Sequence, residues 1–161
     1  MIQNYSDLTR LEMEQVNKDE TIVLIPLGAL EQHGNQAPLG TDDIIAEAMT
    51  DYIRRELEGE PSSEDSDFPM LVFPVIPVGL STEHRNFCGS ITLKPDTYYH
   101  MLYDISTSLV HHGFKKLAFL VCHGGNAPIV QVLSRELRSE FGISPFILSS
   151  GAFSRSEEHT S

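Results

Sequence analysis

Four side chains of this sequence could hold a divalent metal between them: Glu31, His33, Asp42 and His123. Three of them lie in one glycine-interrupted segment, residues 28–42, where Glu31-Gln32-His33-Gly34 is followed nine residues after the histidine by Asp42. Glu31 and His33 are two apart, so in extended backbone their side chains point to the same side. Asp42 also has a plainer explanation, because an acid at the start of a helix meets the positive end of its dipole. Asp43 satisfies that reading equally well, so one of the two acids is structural. His123 is followed by Gly124-Gly125-Asn126. Two residues without side chains let backbone or a substrate approach the imidazole, although the same glycines would also serve a plain turn. Asn126 either orients a neighbour through its amide or caps the helix that follows, and the cap is the reading adopted here. Carboxylate and imidazole donors without thiolate suit zinc, manganese or iron(II).

Both histidine-bearing segments follow an apolar run, residues 21–27 and residues 116–122. Each run has the length of a buried strand, and residues 21–27 are β-branched and almost wholly apolar. Two neighbouring strand ends aimed at one point is how open α/β sheets build their sites. The rest of the chain supplies matching elements. A first helix is expected over residues 6–18, with Leu8, Leu11, Met13 and Val16 inward. Thr41 can cap a second helix running to about Leu57, with Ile44, Ile45, Ala48, Met49, Tyr52 and Ile53 near helical spacing. Residues 58–67 form a polar connector. Residues 70–78 are strand-like, and Pro74 and Pro77 suggest an irregular or edge position. Pro95 opens a helix to about His112, stopped by Gly113. A strand, the His123 turn, a helix over 128–141 and a strand over 145–148 complete the alternation. Strands alternating with helices predict a parallel sheet covered on both faces.

Composition narrows the function classes. The 161 residues carry 11 Lys and Arg against 23 Asp and Glu, a net charge of −12 with a pI near 4.8. That balance argues against nucleic acid, whose phosphates need clustered cations, and against an anionic membrane surface. No apolar stretch approaches the roughly 20 residues of a membrane span. Two cysteines are too few for a disulfide framework, and the start of the chain lacks a signal peptide, so a reducing cytoplasm is expected. The glycine-rich turns raise phosphate or nucleotide binding, but their spacing matches neither the dinucleotide nor the P-loop fingerprint. Residues 155–161, Arg155-Ser156-Glu157-Glu158-His159-Thr160-Ser161, resemble an in-frame translation of a short-read sequencing adapter. On that reading residues 1–154 are one domain truncated near Phe153, and His159 is no ligand; a genuine polar tail is the alternative.

Three stretches in order resemble the creatininase (creatinine amidohydrolase) family. They are Pro26-Leu27-Gly28-Ala29-Leu30-Glu31-Gln32-His33-Gly34 with Leu39-Gly40-Thr41-Asp42, then Glu83-His84-Arg85-Asn86-Phe87-Cys88-Gly89-Ser90, then Val121-Cys122-His123-Gly124-Gly125-Asn126. The resemblance covers about residues 20–150. It implies a three-layer α/β/α sandwich with a mostly parallel sheet, often assembled as hexamers. It further implies a metal-dependent amidohydrolase that opens cyclic or linear amide bonds with two divalent metals. Carried over by position, Glu31 and His123 would hold one metal, His33 the other, and Asp42 both. His84 lies in a loop that the family places near its active site, where it would contact substrate or a neighbouring subunit; an exposed loop histidine is the alternative. His111 and His112 end a helix, where the dipole favours cations, and carry no catalytic role. Two ions about 3.5–4 Å apart can bind hydroxide near neutral pH and polarise a carbonyl.

The sequence departs from the family pattern at four positions. Gln36 stands where many members have a second loop histidine, Cys88 where proline is usual, and Cys122 where glycine is usual. Gly125 stands where some members supply a carboxylate to the second metal; members with His-Gly-Gly-Asn supply it later in the chain. The second metal site is therefore expected to be incomplete in these 161 residues. The alternative reading is a non-catalytic metal- or ligand-binding protein on the same scaffold.

Overall fold

The structure, a computed structural model, describes residues 1–59 and 69–151. Its elements run β1 (Ile2–Asn4), α1 (Arg10–Gln15), β2 (Ile22–Leu27), α2 (Thr41–Gly59), β3 (Met70–Val72), α3 (Pro95–His111), β4 (Lys116–Val121), α4 (Ala127–Phe141) and β5 (Phe146–Ser149). The five strands form one sheet in the order β1-β3-β2-β4-β5, and every pairing between them is parallel. The central pair, β2 with β4, runs in register from Ile22↔Lys116 to Leu27↔Val121.

Alternation along the two central strands sorts the core into two layers, because successive strand side chains point to opposite faces. Val23, Ile25 and Leu27 of β2 join Leu117, Phe119 and Val121 of β4 on one face. They pack there against Tyr98, Leu102 and Leu109 of α3 and Val130, Leu133 and Leu137 of α4. Leu24, Ala118, Leu120 and Cys122 point the other way, toward Ala46, Met49 and Ile53 of α2. The result is the expected α/β/α sandwich. The chain leaves β2 to one side, through α2 to β3, and later returns to the other side at β4. That change of direction puts a switch point between the carboxyl ends of β2 and β4, where open α/β sheets have their crevice.

Several local expectations are corrected. The first helix begins at Arg10, because Thr9 and Glu12 close a capping box there. Residues 2–4 form a strand, unforeseen because only Ile2 of the three is buried and so no period shows. β3 is not an edge: β1 pairs outside it, and the prolines shorten it to three residues. Thr41 is the first residue of α2 and not its cap; its hydroxyl donates to the Pro38 carbonyl. The inward face of α2 is Asp42, Ala46, Met49, Thr50 and Ile53, while Ile44, Ile45, Ala48 and Tyr52 are exposed. The polar connector lies mostly, and the 155–161 tail wholly, outside the described residues. No helix among the described residues is long and apolar enough to cross a membrane.

Candidate active site

The crevice at the carboxyl ends of β2 and β4 is built by three loops tied to one another. Residues 28–40 leave β2 and are closed on themselves where the Glu31 amide donates to the Leu39 carbonyl. Residues 79–93 lie across them: Leu30 and Ile91 bridge, and the Gln32 amide donates to the Ser90 hydroxyl. The turn after β4 carries His123. Asn126 joins all three. Its Nδ2 donates to the Gly28 carbonyl at 2.9 Å, and its Oδ1 accepts from the Leu80 amide at 3.0 Å. It makes no side-chain cap on α4, so the cap expected from the sequence is corrected. Gly79 is needed for this joint, since a Cβ there would fall 2.3 Å from Asn126 Oδ1.

Glu31, His33, Asp42 and His123 converge in the crevice. His33 Nε2 is 3.1 Å from Asp42 Oδ1 and 4.0 Å from Glu31 Oε1. His123 Nδ1 is 3.1 Å from both Glu31 Oε1 and Asp42 Oδ2. Glu31 and Asp42 are only 4% and 6% exposed. One ligand atom each from Glu31, Asp42 and His123 falls within 4.8 Å of the others. His84 reaches the same place from the 79–93 loop, its Nε2 3.7 Å from Glu31 Oε2. His111 and His112 sit at the far end of α3, off the site.

Backbone carbonyls set the protonation of the two inward histidines. His123 Nε2 lies 2.6 Å from the Leu80 carbonyl, and His33 Nδ1 lies 3.1 Å from the Glu31 carbonyl. A carbonyl only accepts, so in each neutral ring that nitrogen carries the hydrogen and the other turns a lone pair toward the carboxylates. Without a cation, lone pair and anion face each other. His123 answers by holding a second proton: the Asp42 carboxylate beside it, helped by the Leu80 carbonyl and the Glu31 charge, outweighs burial and raises its pKa to about 9. Burial opposes ionisation of Asp42, but His123 and His33 more than offset it and lower its pKa. Even so, Glu31 Oε2 is buried without a hydrogen-bond partner. Two carboxylates, two imidazoles and an orphaned oxygen fit a divalent cation, and the donor set fits zinc, manganese or iron(II).

Neighbouring residues show what this crevice excludes. Asp43 turns to the other side, where a Cβ on Gly28 would meet its Oδ1 at 1.8 Å. Burial, with Asp42 and Glu47 nearby, raises its pKa to about 6. It is the structural member of the acid pair. A Cβ on Gly125 would lie 2.6 Å from both His123 Nε2 and the Leu80 carbonyl. No carboxylate can enter from that position in this backbone. Burial raises the Cys122 thiol to about 11, and Cys122 packs in the α2-side core as an inert side chain. Cys88 is exposed. A cavity of about 860 Å³ lies elsewhere; Gln3, Ile22, Met70 and Lys116 line it at the amino end of the strands. Among the described residues, both side-chain groups that could hold a cation contain Glu31.

Known proteins share this fold. The chain is 33% identical over 118 residues to the mycofactocin precursor peptide peptidase of Mycobacterium ulcerans (strain Agy99), a match covering 73% of this chain and 46% of that protein. It thus spans about half the length of the curated relatives it matches. A solved structure named Creatininase Mn superposes with a TM-score of 0.72 at 25% identity, over 90% of this chain and 57% of that one. A mutant creatininase of Zn-Zn type gives 0.74 at 25% identity, over 93% and 58%. The sequence model described as creatinine amidohydrolase matches residues 6–160. With motifs, sheet and crevice all in agreement with that match, the chain belongs to the creatininase family.

Proposed function

We propose that this protein hydrolyses an amide C–N bond using two divalent metal ions. Glu31 and His123 would hold one, His33 the other, and Asp42 both. The observation that carries the reading is the pair of carbonyl-fixed imidazoles, whose free nitrogens face two buried carboxylates. When bound, such cations supply Lewis acidity to the amide carbonyl and a nucleophilic water near neutral pH. The chain's own residues supply the rest. The Leu80 and Glu31 carbonyls aim the rings, Asn126 keeps the three loops together, and the 79–93 loop brings His84 to the rim. The names of the relatives support a peptide-derived or small cyclic amide as substrate. Homo-oligomeric assembly belongs to the same proposal, supported by exposed Ile44, Phe87 and Ile91. So does a cytoplasmic location, supported by the two free cysteines.

A second reading, a metal-binding protein without turnover, has one observation in its favour: Gly125 leaves no room for a carboxylate beside His123. The test is ring opening of creatinine, and amine release from short peptides, by the zinc- or manganese-loaded protein. Metal-dependent turnover that His33→Ala abolishes is expected. Tight metal binding with no turnover on any amide favours the second reading, and unchanged turnover in His33→Ala sinks the metal assignment.

A further inference from the structure

The third histidine of the crevice is arranged in the opposite sense to the other two. The Gln32 side chain is clamped by its own loop: the Gly34 amide donates to Gln32 Oε1 at 3.0 Å. A backbone N–H can only donate, so the oxygen must lie on that side and the NH2 group on the other. That NH2 nitrogen is 2.9 Å from His84 Nδ1. Nδ1 therefore accepts, and in the neutral ring the hydrogen is on Nε2. Nε2 is the atom 3.7 Å from Glu31 Oε2, a buried oxygen with no hydrogen-bond partner.

We propose that Gln32 is a positioning residue that holds His84 as an Nε2–H donor toward the Glu31 carboxylate, steadying that carboxylate while its other oxygen faces His123. Glu31, Glu83 and His84 also bring ligand atoms within 4.8 Å of one another and could be taken for a second cation group. The clamp on Gln32 argues against that use, because it leaves Nε2 with a hydrogen where a ligand needs a lone pair. Hydrogen-bonded partners of ligating carboxylates typically change metal affinity about 10–100-fold when lost. The functional consequence rests on Glu31 being a metal ligand, as proposed above; the tautomer does not.

The test is two-bond proton–nitrogen correlation NMR of histidine-labelled, metal-free protein at alkaline pH, with His84 assigned from the signal missing in His84→Gln. The expected pattern is an unprotonated Nδ1 and a protonated Nε2. Gln32→Glu keeps the acceptor for the Gly34 amide but offers His84 only oxygens, so its Nδ1 should gain the hydrogen. Zinc affinity of that variant should fall about tenfold. A wild-type ring with its hydrogen on Nδ1 overturns the proposal, as does a Gln32→Glu ring unchanged from wild type. Unchanged zinc affinity overturns the link to Glu31. If the wild type binds no zinc at all, the metal-hydrolase reading fails while the tautomer result still stands.

Discussion

The two ends of the sheet treat charge in opposite ways. At the amino end, Lys115 meets Asp19 at 2.6 Å and Lys116 meets Glu20 at 3.0 Å, each cation with one anion and all in contact with water. At the carboxyl end, Glu31 and Asp42 are buried, Glu31 Oε2 lacks a partner, and among the described residues no lysine or arginine pairs with either. Solvated pairs like those at the amino end contribute little to stability. Buried carboxylates cost several kcal/mol unless a cation compensates. The second proton on His123 offsets only part of that cost, which supports the metal site proposed above. A cavity of about 860 Å³ lies instead at the well-paired amino end.

The comparison can be broken most directly at the ligands. Asp42→Ala and His123→Ala should each lower zinc affinity by more than the roughly 100-fold that losing an outer partner costs, as read by isothermal titration. Near-wild-type binding would mean the carboxyl end is merely strained. Asn126→Ala comes next. It orphans the Gly28 carbonyl and the Leu80 amide at about 1–3 kcal/mol each, so denaturant melts should show a loss of about 2–6 kcal/mol. Gly125→Ala pushes on His123 Nε2 and the Leu80 carbonyl. It should destabilise the fold by about 1–3 kcal/mol, as overpacking does, and weaken zinc binding in the same preparation.

Proton linkage sharpens the contrast. The folded pKa of His123 is raised to about 9 from 6.5. Its contribution to stability is therefore fully present below pH 6.5 and is lost as pH rises through about 9. Melting temperature of the metal-free protein should fall over that window, and Asp42→Asn should flatten the slope. Zinc competes with the same proton, so near pH 7–8 the ion that His123 would hold should release about one proton from it, measured by calorimetry in buffers of different ionisation enthalpy. The smallest effect belongs to the amino end: Lys115→Ala should leave the melting temperature unchanged within error, and a clear drop would show that this end is not the inert reference it resembles.

The sequence by itself determined the alternation of strands and helices and the identity of the converging residues. Continuous apolar runs such as Val23-Leu24-Ile25 and Leu117-Ala118-Phe119 need helices on both faces, and adjacent strands of that kind bring their ends together. Local spacing could also place Glu31 and His33 on one side. Tertiary structure alone decided which nitrogen His123 and His84 offer, because the Leu80 carbonyl and the Gln32 amide that set them are 43 and 52 residues away in sequence. It alone gave Asn126 a loop-joining role in place of a cap, and turned Ile44 and Tyr52 outward while Asp42 went in. Hydrophobic period fixes which face of an element is buried when one apolar stripe dominates. It is silent where a helix has apolar residues all round, and where a polar atom's partner comes from a distant loop.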